Sequence, residues 1–344
     1  MSIGSRPSSQ VGGHIGGLET TEDDSLIIKR ALPVEVEFYQ NLATSAAFEP
    51  LRPFLPHFYG TLRLEGEHDT TRSDTLVVKP LPESLKEDTD ESTTTWYHII
   101  SRLPSPPRTF LRPNILDIKL GTVLHDEFAS PEKRARAEKS ARETTTLETG
   151  IRITGFQVYD NSTLSPVKTD ILYGKSLKAA ELPAGIARCL PVASTSNIAL
   201  GAKEPSFGLP CGTLLPIMES LREDIAELRA ILEGLELRMV GASLLIIHES
   251  DWDRAAQGVK LYMEEGSDDM DSDESEDEED DSEDEAAGTP KRPGPPYTVN
   301  LIDFAHTRMA PGKGPDRGVL LGLSTLMKLF DDRIQELRAM DRCG

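Results

Sequence analysis

Three segments of the sequence place charged side chains beside apolar runs, a pattern that suits phosphate and metal chemistry. Asp117 and Lys119 lie two residues apart within the mostly apolar segment 113–121. Because alternate side chains of a strand point to the same side, these two charges should share one face. Burying such a pair costs free energy unless a partner or a ligand compensates for it. Asp303 follows the mostly apolar segment 299–302, and an aspartate at the end of an apolar strand is typical of a Mg²⁺ ligand in phosphoryl transfer.

The third segment is the glycine-rich stretch 12–17, which precedes an apolar run that ends at Lys29. Glycines let backbone N–H groups approach a phosphate closely, and a lysine on the next strand can bind that phosphate as a point charge. No Gly-Lys-Ser/Thr follows, so the stretch is not a Walker sequence. Each segment also has a simpler explanation. Asp117 and Lys119 could form a surface ion pair, Asp303 could be a buried structural aspartate, and the glycine-rich stretch could be an ordinary turn. The residues alone leave both explanations open.

Composition and charge argue against several classes of protein. The chain has 344 residues, 38% of them hydrophobic, and a net charge of −21. Sixteen acids and no base lie between Glu264 and Glu285, so the rest of the chain carries only −5 and shows no basic footprint for a nucleic-acid duplex. Cys189, Cys211 and Cys343 are too far apart to indicate a metal site or a disulfide framework. With no signal sequence and no apolar run near the roughly 20 residues of a membrane span, we expect an intracellular, soluble protein.

Hydrophobic periodicity predicts a strand-rich segment followed by a larger mixed one. The predicted strands are 26–29, 62–64, 75–79, 96–100, 114–121, 151–159, 242–248 and 299–306, with a loop at 82–95. The predicted helices are 33–42, 131–142, a core-facing helix through 221–232, and one or two helices over 318–340. The proline-rich piece 104–107 stops both helices and central strands, so we predict a domain boundary there.

Together these segments resemble the inositol polyphosphate kinase family. The family signature Pro-x-x-x-Asp-x-Lys-x-Gly is met at Pro113, Asp117, Lys119 and Gly121. Further matches follow in the family's order from about residue 10 to about 335, at 13–14 with Lys29, 35–39, 56–60, 150–155, 173–176, 243–249 and 302–307. Within the family the chain is most similar to the fungal multikinases, which include regulators of arginine metabolism. The residues behind that similarity are 132–134, 143–146, 311–314 with Asp316, and the acidic insertion.

The resemblance implies an α+β fold of the two-lobed, protein-kinase-like kind, with antiparallel sheets in both lobes and ATP in the cleft between them. We expect a disordered N-terminus at 1–9, an N-terminal lobe at 10–105 that binds the ATP phosphates, and a C-terminal lobe at 106–344. The C-terminal lobe would bind the inositol phosphate and Mg²⁺, and it would contain a disordered acidic loop at 264–298.

The resemblance also implies roles for single residues. Lys29 would bind the α- and β-phosphates of ATP and would be oriented by Glu35, with Glu37 close enough to be the alternative. Asp117 would bind the ribose, and Asp303 would be the Mg²⁺ ligand. Lys119 would contact both the inositol phosphate and the transferred phosphoryl group. The further substrate contacts implied are Lys133, Arg136, Lys175 and His306; the charges of Lys133 and Arg136 could equally be solvated on the helix surface.

Two departures from the family pattern affect these expectations. The family usually has a Leu-Glu-Asp-like hinge before the signature, and this chain has 103–106, Leu-Pro-Ser-Pro, at the matching place. Since proline has no N–H to donate to adenine, either the alignment shifts by a residue or two or adenine is held differently, and we assign no adenine contact. The family's serine pair before Leu-Leu is Ala242-Ser243 here, so any role of the first serine is absent.

The activity implied is that of an ATP- and Mg²⁺-dependent multikinase. It would convert inositol 1,4,5-trisphosphate to tetrakis- and then pentakisphosphate by transfer to the 6- and 3-hydroxyls. Two alternatives stay open, an inositol hexakisphosphate kinase and a non-catalytic stabiliser of transcription factors that acts through the acidic loop. We expect a monomer in the nucleus and cytoplasm, without direct nucleic-acid binding.

Overall fold

A computed structural model describes residues 18–20, 26–66, 94–103, 110–193, 206–264 and 294–342. Several predicted features lie outside these residues: the N-terminus 1–9, the glycine-rich stretch 12–17, the strand 75–79, the proline-rich piece 104–107 and most of the acidic loop 264–298. The proposed boundary between residues 105 and 106 therefore stays a prediction. At the two ends of the acidic loop, a π-helical turn runs to Glu264 and a strand already begins at Tyr297.

The first sheet has four antiparallel strands in the order β1-β2-β4-β3. They are β1 (Leu18–Thr20), β2 (Ile27–Ala31), β3 (His57–Gly66) and β4 (Thr94–Arg102). Helix α1 (Pro33–Thr44) follows β2 and has proline in its first turn, where no intrahelical N–H is needed. A 3₁₀ helix (Ala46–Phe54) leads from α1 to β3. The predicted strands at 62–64 and 96–100 are confirmed as parts of β3 and β4.

The second sheet has five antiparallel strands in the order β10-β9-β5-β6-β7. They are β5 (Pro113–Leu120), β6 (Ile151–Asp160), β7 (Ser165–Thr169), β9 (Ser243–Glu249) and β10 (Tyr297–Ile302). Strand β5, which carries the signature, is the central strand and has both faces covered. A separate antiparallel ribbon joins β8 (Leu237–Val240) to β11 (His306–Met309).

Helices cover the second sheet and supply much of the core. They are α2 (Pro131–Glu143), α3 (Thr146–Thr149), α4 (Ile171–Ser176), α5 (Leu182–Cys189), α6 (Cys211–Glu233), α7 (Trp252–Val259) and α8 (Arg317–Asp341). A 3₁₀ turn at Ala179–Glu181 precedes α5. Leu221, Ile225 and Leu228 of α6 are fully buried, which confirms their predicted core role. Each such side chain stabilises the fold by roughly 1.5–3 kcal/mol.

One predicted strand is wrong at its end. The sequence pattern suggested a continuous strand over 299–306, but β10 stops at Ile302 and His306 starts the separate strand β11. Asp303 has a left-handed backbone with φ of 67°, which breaks the extended conformation between them.

Two further expectations can be compared with the described residues. Cys189 and Cys211 are both free thiols, as the sequence predicted. Within the same described ranges, no helix is both long enough and apolar enough to cross a membrane.

Candidate functional site

Lys29 of the first sheet binds two carboxylates, one from helix α1 and one from the turn that follows strand β10 of the second sheet. Its Nζ donates to Oε1 of Glu35 at 3.1 Å and to Oδ1 of Asp303 at 3.0 Å. Glu35 lies in the first turn of α1 and is buried, whereas Glu37 is exposed. The sequence left open whether Glu35 or Glu37 pairs with the lysine. In the structure the partner is Glu35.

Burial and the two carboxylates oppose each other at Lys29. Burial alone would lower the pKa of Lys29, but Asp303 and Glu35 outweigh it and raise the pKa above its ordinary value. The lysine therefore stays protonated. Burial raises the pKa of Glu35, and the ion pair with Lys29 opposes that shift. The second carboxylate oxygen of Glu35, Oε2, is buried with no hydrogen-bond partner among the described residues.

The backbone at Asp303 is fixed by the residue that follows it. Phe304 is fully buried and packs against the rings of Phe38 and Tyr39 of α1, with ring centroids 4.9 and 5.6 Å apart. A left-handed conformation costs a non-glycine residue about 1–3 kcal/mol, and Asp tolerates it better than most. Burial of the Phe304 ring offsets that cost. The turn keeps the Asp303 carboxylate partly exposed and next to Lys29.

Asp117 lies in the buried middle of β5, close to Asp303. Oδ1 of Asp117 is buried without a partner in the described part of the chain, and Ser243 hydrogen-bonds to the carboxylate. Burial and then the charge of Asp303 raise the pKa of Asp117 to about 6, although Ser243, Lys119 and Arg152 oppose the shift. An unpartnered buried oxygen of this kind is a candidate ligand contact.

Lys119 is held by the turn between β8 and β9. Its Nζ donates to the carbonyl oxygen of Gly241 at 2.9 Å, and Gly241 has a φ of 83° that favours glycine. Asp117 and Lys119 influence each other electrostatically but do not form an ion pair among the described residues. The two charges therefore lie near each other, as the sequence predicted, but each has its own hydrogen-bond partner. Asp117 bonds to Ser243 and Lys119 bonds to Gly241.

A second cluster contains two of the predicted substrate cations. Nδ1 of His306 lies 3.1 Å from Oδ2 of Asp126, and Nζ of Lys133 lies 3.8 Å from the same oxygen. Ser130 caps α2 by accepting a hydrogen bond from the backbone N–H of Lys133, which places Lys133 in the first turn. Burial lowers the pKa of His306; Asp126 raises it, and Lys133 and Lys119 lower it further. His306 thus lies within electrostatic reach of both Lys133 and Lys119.

Arg136 and Lys175 are less constrained. Both side chains are exposed, and neither forms an ion pair within the described ranges. Lys175 follows Gly174 in α4, where a Cβ atom would collide with the carbonyl oxygen of Ile153 in β6. Glycine is therefore required for α4 to lie directly on β6, and this close packing sets the position of Lys175. The structure does not bring Arg136 or Lys175 into contact with the His306 cluster.

Sequence reasoning missed three residues of the site. Asp126 lies in the loop between β5 and α2, where no periodic pattern marks it. Ser243 was noted only as the second serine of a pair, yet it is buried and hydrogen-bonds to Asp117. Arg152 is buried in β6, opposite Lys119, with its Nε unpartnered in the described structure. A charged residue in a buried strand was the signal available for Arg152.

The donor set suits a metal–polyphosphate complex. In the part of the chain that the structure describes, no group of three His, Cys, Asp or Glu residues could hold a metal alone. Asp303 offers a partly exposed carboxylate oxygen beside a lysine. Mg²⁺ is commonly bound by one or two carboxylates together with water and substrate phosphates, so these residues fit a metal that arrives with a nucleotide.

Comparisons with known proteins agree with this geometry. A family model described as inositol polyphosphate kinase matches residues 107–331. The inositol polyphosphate multikinase of Saccharomyces cerevisiae is 31% identical over 350 residues, covering 92% of this chain and 95% of the relative. That of Schizosaccharomyces pombe is 27% identical over 177 residues, covering 52% and 60%. Inositol hexakisphosphate kinase 3 of Mus musculus is 28% identical over 234 residues, covering 66% of this chain but 48% of the relative.

A solved structure has the same architecture. The crystal structure of the inositol phosphate multikinase Ipk2 from S. cerevisiae, in complex with ADP and Mn²⁺, aligns with a TM-score of 0.59 at 24% identity. The alignment covers 90% of this chain and 99% of that chain. The predicted two-lobed α+β fold with antiparallel sheets is confirmed.

Proposed function

We propose, from the premise that this chain belongs to the inositol polyphosphate kinase family and is a kinase, that it transfers the γ-phosphoryl group of ATP to hydroxyls of inositol phosphates. One observation carries the proposal. Lys29 of the first sheet is bound to Asp303 at the end of the second sheet, Asp117 lies within electrostatic reach of both Asp303 and Lys119, and His306 lies within electrostatic reach of Lys119 and Lys133. An anionic nucleotide and an anionic acceptor would then meet in one site.

The nucleotide half of the site is formed by Lys29, Glu35, Asp117 and Asp303. Lys29 would bind the α- and β-phosphates, with Glu35 keeping its ammonium in position. Asp303 would hold Mg²⁺, which neutralises charge on the transferring phosphates. Asp117, with its unpartnered buried oxygen, would accept a hydrogen bond from the ribose. The ADP and Mn²⁺ bound by the yeast multikinase support a nucleotide and a divalent metal for this chain as well.

The acceptor half is formed by Lys119, Lys133 and His306, with Arg136 and Lys175 as further contacts. Several cations around one pocket are what a substrate with three or more phosphates requires. Lys119 comes from the same strand as Asp117, so it is the residue best placed to contact both the acceptor and the transferred phosphoryl group. Its charge would stabilise the equatorial oxygens in a loose transition state. Such a transition state makes a strong general base less necessary, and we assign none.

For substrate and product, we propose that inositol 1,4,5-trisphosphate is converted to tetrakis- and pentakisphosphate at the 6- and 3-hydroxyls. The coverage of the yeast multikinase, 95% of its length, supports this choice over a hexakisphosphate kinase, of which the chain spans about half.

Product analysis tests the proposed substrate. The purified chain is incubated with ATP, Mg²⁺ and either inositol 1,4,5-trisphosphate or inositol hexakisphosphate, and products are separated by anion-exchange chromatography. We expect stepwise tetrakis- and pentakisphosphate from the trisphosphate. Arrest at tetrakisphosphate would indicate a narrow trisphosphate kinase, and consumption of hexakisphosphate alone would indicate the hexakisphosphate kinase.

We also propose a second, non-catalytic function for the acidic segment, which carries sixteen acids between Glu264 and Glu285. It would bind basic transcription factors in the nucleus, while the kinase acts as a monomer in both nucleus and cytoplasm. Rescue of a deletion strain by an Asp303→Asn chain, but not by a chain without 265–290, would support this function; the reverse result would contradict it.

A further inference from the structure

Two consecutive carboxylates of the loop between β5 and α2 pair with two basic side chains of strand β11. Asp126 contacts Nδ1 of His306 at 3.1 Å, and Oε2 of Glu127 contacts a guanidinium nitrogen of Arg308 at 2.8 Å. No role is implied for Arg308 by the signature motif, the sequence patterns or the site described above. The repeated pairing suggests that Arg308 belongs to the same functional surface as His306.

The strand geometry puts Arg308 on the same face as His306. Thr307, between them, is fully buried, whereas the side chains of His306 and Arg308 are 37% and 33% exposed. Alternate residues of a strand share a face and lie about 7 Å apart. Arg308 therefore lies one position further along this face than His306, at a distance that suits a neighbouring phosphate on the same inositol ring.

Arg308 differs from the arginine opposite it in the ribbon. Arg238 of β8 is the register partner of Arg308, but its guanidinium donates to the carbonyl oxygens of Gly314 and Lys313 and so holds the turn after β11. Arg308 is held by the partly exposed carboxylate of Glu127. Because such ion pairs are weak and a phosphate binds a guanidinium more strongly, a phosphorylated ligand can replace Glu127.

We propose that Arg308 is a further substrate-binding residue that takes a phosphate of the inositol phosphate, and that Glu127 competes with the substrate for it. The inference rests on the proposed function and deepens it, since it identifies the side of the site to which an additional phosphate would bind. It predicts that substitution of Arg308 and substitution of Glu127 shift the KM for the inositol phosphate in opposite directions. Loss of either partner of a purely structural ion pair would not produce opposite shifts.

The test compares Arg308→Gln, Glu127→Gln and the control Arg338→Gln, which breaks an exposed 2.7 Å pair with Glu219 between α8 and α6. We expect the KM for inositol 1,4,5-trisphosphate to rise about tenfold in Arg308→Gln, since a charge-assisted hydrogen bond to phosphate is lost. The KM should fall in Glu127→Gln and stay unchanged in Arg338→Gln, with the KM for ATP unaffected in all three. Arg308→Lys should recover part of the loss.

Shifts of the KM in the same direction in Arg308→Gln and Glu127→Gln, or no shift in either, would overturn the inference. Calorimetric titration with inositol 1,4,5-trisphosphate, without ATP, separates this result from a failure of the proposed function. If the wild-type chain binds the trisphosphate but does not turn it over, the kinase reaction is overturned. The affinities of the variants for the trisphosphate would still test the role of Arg308. Absence of binding to the wild-type chain would overturn both.

Discussion

At the scale of single residues, Lys29 would link the proposed nucleotide site to the proposed metal ligand Asp303. Its two partners come from different parts of the chain, Glu35 from α1 and Asp303 from the turn after β10. An ammonium held by two carboxylates is kept charged and in one position, which is what a phosphate-binding lysine requires. On the proposed function, Glu35 would position Lys29 rather than contact the substrate.

Replacing Glu35 by glutamine tests that positioning role. The variant keeps the shape of the side chain but weakens a charge-assisted hydrogen bond, so kcat/KM for ATP should fall by about 10- to 100-fold. The KM for the inositol phosphate should change little. The matched control is Glu37→Gln, two residues away and exposed, which should behave as the wild type in steady-state kinetics. Equal losses in both variants would contradict the assignment.

The protonation of His306 should control acceptor binding. Because its pKa lies below the ordinary value, the imidazole is neutral near pH 7 and gains its charge as the pH falls. The charged form binds phosphate better, so the KM for the inositol phosphate should decrease as the pH falls from about 8 towards about 5. His306→Gln should lose this component of the pH dependence.

Asp126→Asn provides the complementary variant for His306. Of the charges that face the imidazole, Asp126 raises its pKa, whereas Lys133 and Lys119 lower it. Removing the Asp126 charge should therefore move the pH dependence of the KM to lower pH. If wild type, His306→Gln and Asp126→Asn give parallel profiles, His306 does not bind the acceptor in its charged form.

At the scale of elements, close backbone packing fixes where the site residues lie. Helix α4 rests on β6 through Gly174, and α8 rests on the turn at Gly150 through Gly322, where any Cβ would collide with the opposing backbone. These contacts set the distance of each helix from the central sheet. This packing also fixes the position of the residues that follow these glycines, such as Lys175.

Gly174→Ala should separate α4 from β6. The added methyl group meets the backbone at Ile153 rather than a flexible side chain, so we expect a loss of about 1–3 kcal/mol in the free energy of unfolding. Acceptor binding should weaken as Lys175 is displaced. Gly212→Ala in α6 is the control, since its Cβ would meet open space and should be neutral or stabilising by up to about 1 kcal/mol. Denaturant unfolding of both variants gives the comparison, and equal stabilities would contradict it.

The regular elements of the site were predictable from the sequence, and the turns between them were not. Periodicity predicted α1, β5 and β9, which carry Glu35, Asp117 and Ser243. The end of β10 was missed because the left-handed conformation of Asp303 depends on burial of Phe304 against α1, a contact between distant parts of the chain.

Loop residues were missed for a similar reason. Asp126 belongs to the site only because the loop after β5 lies against β11, and no local pattern encodes that proximity. The roles predicted for Lys29, Lys119 and Asp303 came from the family resemblance, since spacing alone left a turn, an ion pair and a structural acid open as explanations.

At the scale of the whole molecule, buried charge at the centre of the second sheet has a cost in stability. The pKa of Asp117 is about 6 in the folded protein, against about 3.9 in an unfolded chain. The folded state therefore binds the proton more tightly. The contribution of Asp117 to stability is fully present below the unfolded pKa and is lost as the pH rises through the folded pKa.

Asp117→Asn should remove this pH dependence. Relative to the wild type, the free energy of unfolding of the variant should increase by about 3 kcal/mol between pH 3.5 and pH 7. The change with pH is the test, since the amide can add a constant offset at every pH. Asp331→Asn, which breaks a partly exposed ion pair with Arg222, controls for the loss of one carboxylate, and urea unfolding of all three chains at several pH values is the measurement. A flat difference for Asp117→Asn would mean that this carboxyl is ionised freely in the folded protein.

The most direct test of the kinase site is the turnover of inositol 1,4,5-trisphosphate by Asp303→Asn, with Asp331→Asn as the matched control. Asp303 is where the lysine of the first sheet and the end of the second sheet meet, and it would hold the metal. ATP- and Mg²⁺-dependent product formation should fall by about a hundredfold or more in Asp303→Asn. It should be unchanged in Asp331→Asn, with both variants folded. Wild-type turnover in Asp303→Asn would contradict the site.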